Sequence, residues 1–327
     1  MRTYVQTVTG SVRADELGRC LSHQHVLFGY PGWEGAVLAP FRWEEALEQA
    51  AAVLNDAKQR CGLQTVIDAT PADCGRKVDF LKAVSERTGI HIVASSGYYY
   101  EGEGAPAYFK FRMAYGNAEE EIYQMMRREV TEGVGDTGIR TGVIKVGTSA
   151  GKITEYEDLF LRGAARVSAE TGVRIITHTQ AGTMGSEQAR RLISYGAKPE
   201  HIMIGHLNNC TDMDELLKIF EQGVYGGFDR LGIQGFTGAL PESRRLAEIV
   251  GLAGSGYADK LILSHDSIIR MLGDPWIYSE QDAKDLAHWN WTHVFEDVLP
   301  RLQEMGLRPE QAEAMVTDNP QRLFVGE

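Results

Sequence analysis

The chain has 327 residues, 43% of them hydrophobic and 24% charged, with a formal net charge of −12. This length and apolar content suit a folded chain with a large core and exclude a disordered or fibrous polymer. The acidic balance, without a dense Lys/Arg cluster, argues against nucleic-acid binding.

The opening segment lacks the apolar run of a signal peptide, and no apolar stretch reaches the ~18 residues of a membrane span, so no membrane association and a cytoplasmic location are expected. Short apolar runs then recur along the chain. They predict strands over 20–25, 65–68, 91–95, 142–146, 174–178, 201–206, 224–229 and 261–266. Continuous runs of this length suit parallel strands buried on both faces. Helical patterns lie between them. Leu47, Ala50, Ala51 and Leu54 mark one face of a helix over 43–60, which Gly62 ends. Thr154 and Glu157 form a capping box that opens the next clear helix. Further helices are expected over 184–195, 212–222 and 241–250, and near 286–305 and 309–318. No Pro/Gly/Ser-rich linker divides the chain, so residues 1–327 read as one domain. Eight strand–helix units predict an α/β fold, a single (β/α)8 TIM barrel rather than an open doubly wound sheet.

Ligand-type side chains fall where these apolar runs finish. His25, Lys145, His178, His206 and Asp266 each stand at the end of a predicted strand. In a barrel those ends meet at one face, the C-terminal face, where active sites are built. His23 and His25 lie two apart on one strand and share a face, so both imidazoles can reach one ion. Imidazole with carboxylate suits zinc, iron, cobalt or manganese. Cys20, Cys61, Cys74 and Cys210 show no CxxC spacing and offer no thiolate site. Lys145 follows Val143 and Ile144, and a buried ammonium there is costly. Three readings stay open for it: a lysine reaching the barrel rim, a Schiff-base nucleophile, or an amine carbamylated by carbon dioxide.

The set His23-Gln24-His25, Lys145, His178, His206 and Asp266 resembles the amidohydrolase superfamily. More narrowly it resembles the phosphotriesterase-like lactonases, with similarity running from Thr7-Val8-Thr9-Gly10 to Asn319-Pro320. Gly97-Tyr98-Tyr99, Ile204-Gly205-His206, Phe228-Asp229-Arg230-Leu231-Gly232 and Ser264-His265-Asp266 carry it further. The resemblance implies a site for two divalent metal ions. His23, His25 and Asp266 would hold the more buried ion, His178 and His206 the more exposed one, and a carboxylated Lys145 would bridge them. Tyr99 and Arg230 would stand beside the metals, with Tyr98 as the alternative tyrosine. Asp266 would accept a proton from the attacking water and relay it to the leaving group. The implied activity is lactone hydrolysis, on N-acyl homoserine lactones or related lactones, with weaker action on phosphotriesters. A homodimer is also implied.

Phe28, Tyr30, Phe236 and Trp276 are candidates to line the substrate pocket, as is Met271, where relatives often carry a bulky aromatic. The residue between the first two histidines is commonly Glu in relatives and is Gln24 here. Strand alternation points it away from the metals. His265 points outward by the same alternation and is expected to be a satisfied core histidine.

Three rivals compete with this reading. Gly147-Thr148-Ser149-Ala150-Gly151 matches the G-x-S-x-G nucleophile elbow of a metal-independent serine hydrolase. A Schiff-base aldolase would use Lys145. A barrel without catalysis would serve as a binding module.

Overall fold

The computed structural model describes residues 3–236 and 239–326. Strands β1 (Tyr4–Thr7) and β2 (Gly10–Arg13) form an antiparallel hairpin. Eight strands follow: β3 (Arg19–Phe28), β4 (Leu63–Asp68), β5 (His91–Gly97), β6 (Val143–Thr148), β7 (Arg174–Thr179), β8 (Ile202–Ile204), β9 (Tyr225–Phe228) and β10 (Leu261–Leu263). From β4 to β10 each pairs in parallel with the one before it. A further strand, β11 (Ile268–Met271), pairs in parallel with β3. Between β10 and β11 the Asp266 N–H donates to His23 O and the His25 N–H donates to Ser267 O, both at 3.0 Å. Thus β10 and β11 are two halves of one last strand, which joins β9 on one side and β3 on the other. The bend between them sits at Asp266, whose φ is 54°. The barrel closes there, as a (β/α)8 topology requires.

The helices are α1 (Trp43–Cys61), α2 (Val78–Thr88), α3 (Ala107–Tyr115), α4 (Ala118–Thr131), α5 (Glu155–Thr171), α6 (Gly185–Ser194), α7 (Met213–Phe220), α8 (Glu242–Leu252), α9 (Glu280–Asp285), α10 (Leu299–Glu304), α11 (Pro309–Ala314) and α12 (Asp318–Val325). Their ends follow local chemistry. Gly62 adopts a left-handed conformation and its N–H closes the last turn of α1 onto Lys58 O. Thr154 Oγ1 accepts from Glu157 N–H, and Glu157 Oε2 accepts from Thr154 N–H, the reciprocal capping box that starts α5. Among the described residues no helix is long and apolar enough to cross a membrane.

Strand alternation sorts the core into two parts. Val66, Ile92, Ala94, Ile144, Val146, Ile175 and Ile204 face outward and pack under the helices. Cys20, Ile67, Val93, Val143, Ile176, Met203, Tyr225 and Ile262, one from each of β3 to β10, fill the lower barrel interior. Val5 of the hairpin and Leu323 and Phe324 of α12 close this layer from below.

Several boundaries depart from the sequence expectation. The sixth and eighth strands stop at Ile204 and Leu263, short of His206 and Asp266. Both of those residues have left-handed backbone, φ 60° and 54°, which ends strand pairing. The helix expected over 286–305 is confined to 294–304, and residues 286–293 form a loop and turns instead. The segment expected to be helical over 309–318 ends at Ala314, and α12 is a separate helix.

Candidate metal centre

The strand ends bring His23, His25, Lys145, His178, His206, Arg230 and Asp266 around one cavity. The residues run from 23 to 266 in sequence, yet His23 and His206 have ring centroids 4.7 Å apart, and His178 and His206 4.5 Å apart. Ligand atoms of His23, His206 and Asp266 all lie within 4.8 Å of one another.

Each imidazole is anchored by one nitrogen. His23 Nδ1 donates to Asp229 Oδ2 at 2.6 Å, and His206 Nδ1 donates to Asp229 Oδ1 at 2.8 Å. Ionised carboxylates only accept, so both protons must sit on Nδ1. Thr70 gives its hydroxyl proton to Leu27 O, so its oxygen accepts from His25 Nδ1 at 2.8 Å. His178 Nε2 donates to Gln180 Oε1 at 2.7 Å. The other nitrogen of each ring is the one available to a metal ion. Burial lowers the pKa of His178 and His206 well below the ordinary value, with the Arg230 charge adding to it, so both rings are neutral.

The free nitrogens meet the other ligand-type groups. Lys145 Nζ is 2.8 Å from His23 Nε2, and Asp266 Oδ1 is 2.9 Å from His25 Nε2 and 3.4 Å from His23 Nε2. A neutral His25 protonated on Nδ1 would set its Nε2 lone pair against those of Asp266 Oδ1, 2.9 Å away. A cation between them removes that conflict. Ligand atoms ~2.1 Å from one ion lie about 3.0–3.4 Å apart, the spacing seen here. The donor set therefore fits a divalent ion. His23, His25 and Asp266 could hold one, and His178 and His206 a second, with Lys145 between them.

Lys145 is buried among these groups, and burial brings its pKa down to about 8 despite the opposing charges of Asp266 and Asp229. Burial would raise the pKa of Asp266, but the positive charge of Arg230 beside it helps hold the carboxyl well below its usual range. Arg230 Nε donates to Asp266 Oδ2 at 2.8 Å. Two residues of this centre sit on strained backbone, His206 and Asp266, a feature that clusters at functional sites.

Phe28, Tyr30, Tyr99, Phe236 and Trp276 line the same cavity. Two other predicted pocket residues do not. Tyr98 turns away and packs on Phe109 and Phe160, because the three consecutive tyrosines after β5 cannot all face inward. Tyr99 takes the pocket side, 5.0 Å from the His178 ring, and Tyr100 stacks on that ring at 4.9 Å. Met271 belongs to β11, paired with Phe28, and lines the neighbouring cavity instead. Pro71, Ile233, Ile268 and Trp289 complete this cavity and were not foreseen. Nor were the anchors Thr70, Gln180 and Asp229. Asp229 alone carried a signal, as an acid at a strand end beside Arg230.

Gln24 faces away from the centre, to Ser267 N–H and His265, each at 2.8 Å. His265 is fully buried in the core and its Nε2 accepts from Val294 N–H at 2.9 Å. The serine-elbow rival loses its geometry. Ser149 Oγ donates to Glu157 Oε1 at 2.6 Å, among the described residues no histidine bonds to it, and α5 starts only at Glu155. A second acidic cluster, Glu242, His293 and Asp297, is already engaged by Arg301, which bonds both carboxylates at 2.7 and 2.9 Å.

The phosphotriesterase family model matches residues 3–324. An aryldialkylphosphatase from Saccharolobus solfataricus is 31% identical over 321 residues, covering 96% of this chain and 97% of its own length. An organophosphorus hydrolase structure from Deinococcus radiodurans is 50% identical with a TM-score of 0.97, covering 99% of this chain and 97% of its own. A second structure comes from engineering organophosphate hydrolysis activity from a weak promiscuous lactonase template. It is 49% identical with a TM-score of 0.96, covering 98% and 99%.

Proposed function

This chain belongs to the phosphotriesterase family and is a hydrolase, and we propose that it hydrolyses lactones, N-acyl homoserine lactones among them, and phosphotriesters more slowly. One observation carries the metal-dependent reading: four imidazoles are each anchored by one nitrogen, and the other nitrogens of His23, His25 and His206 lie 3.4, 2.9 and 3.9 Å from Asp266. That arrangement suits two divalent transition ions (zinc, iron, cobalt or manganese). When bound they would polarise the substrate's carbonyl or phosphoryl oxygen and lower the pKa of water. A pKa near 8 leaves part of Lys145 as free amine at neutral pH. That amine can add carbon dioxide, losing a proton, to give a carbamate with two ligand oxygens.

The chain's own residues handle the proton. Asp266 Oδ1 stands beside the free nitrogens of His23 and His25 and accepts a proton from the attacking water. Arg230 holds Oδ2 and keeps the carboxylate ionised before the reaction. The carboxyl then passes the proton to the departing alkoxide. In a lactone that alkoxide stays tethered within reach. The buried Tyr99 hydroxyl is placed to donate a hydrogen bond to the substrate. Phe28, Tyr30, Phe236 and Trp276 offer an apolar wall for an acyl chain. Both substrate classes are neutral, which agrees with an acidic protein. The weak-lactonase description of a 49%-identical relative supports the lactone assignment.

The test is metal content and hydrolysis measured together. About two ions per chain, with activity lost on chelation and restored by metal plus bicarbonate, is the expected result. Lactones should show the higher kcat/KM against dialkyl aryl phosphates. Metal-free protein that hydrolyses lactones undiminished would overturn the reading.

A further inference from the structure

Asp229 has no assigned role, yet it lies at the junction of the two halves of the candidate centre. It is fully buried, just beyond β9. Inward-facing positions on β8 and β9 alternate Met203, then Gly205, and Tyr225, then Gly227. A Cβ on Gly227 would come within 2.9 Å of Asp229 Oδ2, so that glycine keeps space for this carboxylate, while a Cβ on Gly205 would meet Thr177 O at 2.2 Å before Oδ2 at 3.0 Å. Three N–H groups face its two oxygens, the surroundings of a carboxylate that only accepts.

The two oxygens have different duties. Oδ2 accepts one bond, from His23 Nδ1 at 2.6 Å. Oδ1 accepts two, from His206 Nδ1 at 2.8 Å and from the His206 backbone N–H at 2.9 Å. A backbone N–H cannot change tautomer or rotate away. Oδ1 is therefore committed to accepting, whereas Oδ2 meets only an imidazole that can shift its proton.

We propose that Asp229 is the positioning residue that fixes the proton on Nδ1 of both His23 and His206, and that only its Oδ2 side depends on the negative charge. Resting on the binuclear reading above, this links both ions to one carboxylate. Asp229→Asn then has an asymmetric effect. The amide oxygen must stay on His206, because turning the NH2 group there would face two N–H donors. The NH2 group thus faces His23, whose Nδ1 becomes an acceptor. The His23 proton moves to Nε2, where Lys145 Nζ at 2.8 Å accepts it as the free amine, and it removes the lone pair that an ion needs. The half built from His23, His25 and Asp266 is weakened, while the half built from His178 and His206 keeps its ligand nitrogens.

The experiment titrates zinc into metal-free wild type and Asp229→Asn, with 15N-histidine spectra recorded alongside. Wild type is expected to take up two ions with His23 and His206 both protonated on Nδ1. The variant is expected to keep one ion and bind the other at least about tenfold more weakly. His23 should then show the Nε2–H tautomer and His206 should not. Two unchanged affinities, equal weakening of both, or an unchanged His23 tautomer would each overturn the proposal. The histidine spectra of the metal-free variant report tautomers whether or not zinc binds, and their dispersion reports folding. Wild type that takes up no zinc would sink the binuclear reading, while the tautomer comparison still decides the role of Asp229.

Discussion

Val143 and Lys145 lie two residues apart on β6 and point into the same barrel, but at different levels. Ile176 and His178 repeat the pattern on β7. At the lower level every strand contributes one side chain to an apolar layer, apart from the Tyr225 hydroxyl. At the upper level the same strands carry imidazoles, an amine and carboxylates, held by hydrogen bonds rather than by apolar contact. Burial stabilises the lower layer at roughly 25 cal/mol per Å2. At the mouth burial opposes every charge, and the groups persist only because each has a partner. Stability and function are thus stacked along one strand direction, and a substitution should report which level it touches.

Asp266→Asn should separate the levels most sharply. It is expected to cut turnover by about 10²–10⁴-fold, ~3–5 kcal/mol in the barrier, with metal still bound. Melting and steady-state kinetics measured together check it; full lactone turnover with bound metal would remove the proton-relay role. Ile176→Ala is the mirror experiment in the lower layer. It should cost about 2–5 kcal/mol of stability in denaturant unfolding and leave the metal stoichiometry unchanged.

Asp73 tests the cost of burying charge near the mouth. Its Oδ1 accepts from Tyr99 N–H at 3.0 Å, while Oδ2 is buried without a partner. Burial raises its pKa from 3.8 to about 6. The folded state therefore holds the proton more tightly than the unfolded state. The contribution is fully present below about pH 4 and is lost as pH rises toward 6, on the order of 2–3 kcal/mol. In Asp73→Asn that part of the slope should vanish from unfolding curves recorded between pH 4 and 7; an unaltered slope would assign it to other acids. Thr154→Ala lies outside both levels. Loss of the α5 cap should lower stability by ~1 kcal/mol with kcat/KM unaffected, and a larger change in kcat/KM would tie the Ser149–Glu157 contact to the site.

The candidate ligands were legible because they share one sequence property: each follows an apolar run that becomes a parallel strand. His25, Lys145, His178, His206 and Asp266 could be assembled without coordinates, since a barrel sends all its strand ends to one face. Tyr98 and Tyr99 could not be told apart. Register after a strand depends on which ring fits between Phe109 and Phe160. Met271 was misplaced because the last strand breaks at Asp266 and resumes as β11, moving its side chain to the next cavity.

The sequence by itself determined the eight-fold alternation, the chemical nature of the centre and the helix signals at Gly62 and Thr154, all of which are local patterns of period or spacing. Only the tertiary structure decided how the barrel closes, through the bent strand from Leu261 to Met271 against β3. It alone decided which nitrogen of each histidine is free, because that choice belongs to partners distant in sequence: Asp229 for His23 and Thr70 for His25. A hydrogen bond between residues 206 positions apart leaves no periodic trace in the chain, and it exists only once the strands have set its two ends 2.6 Å apart.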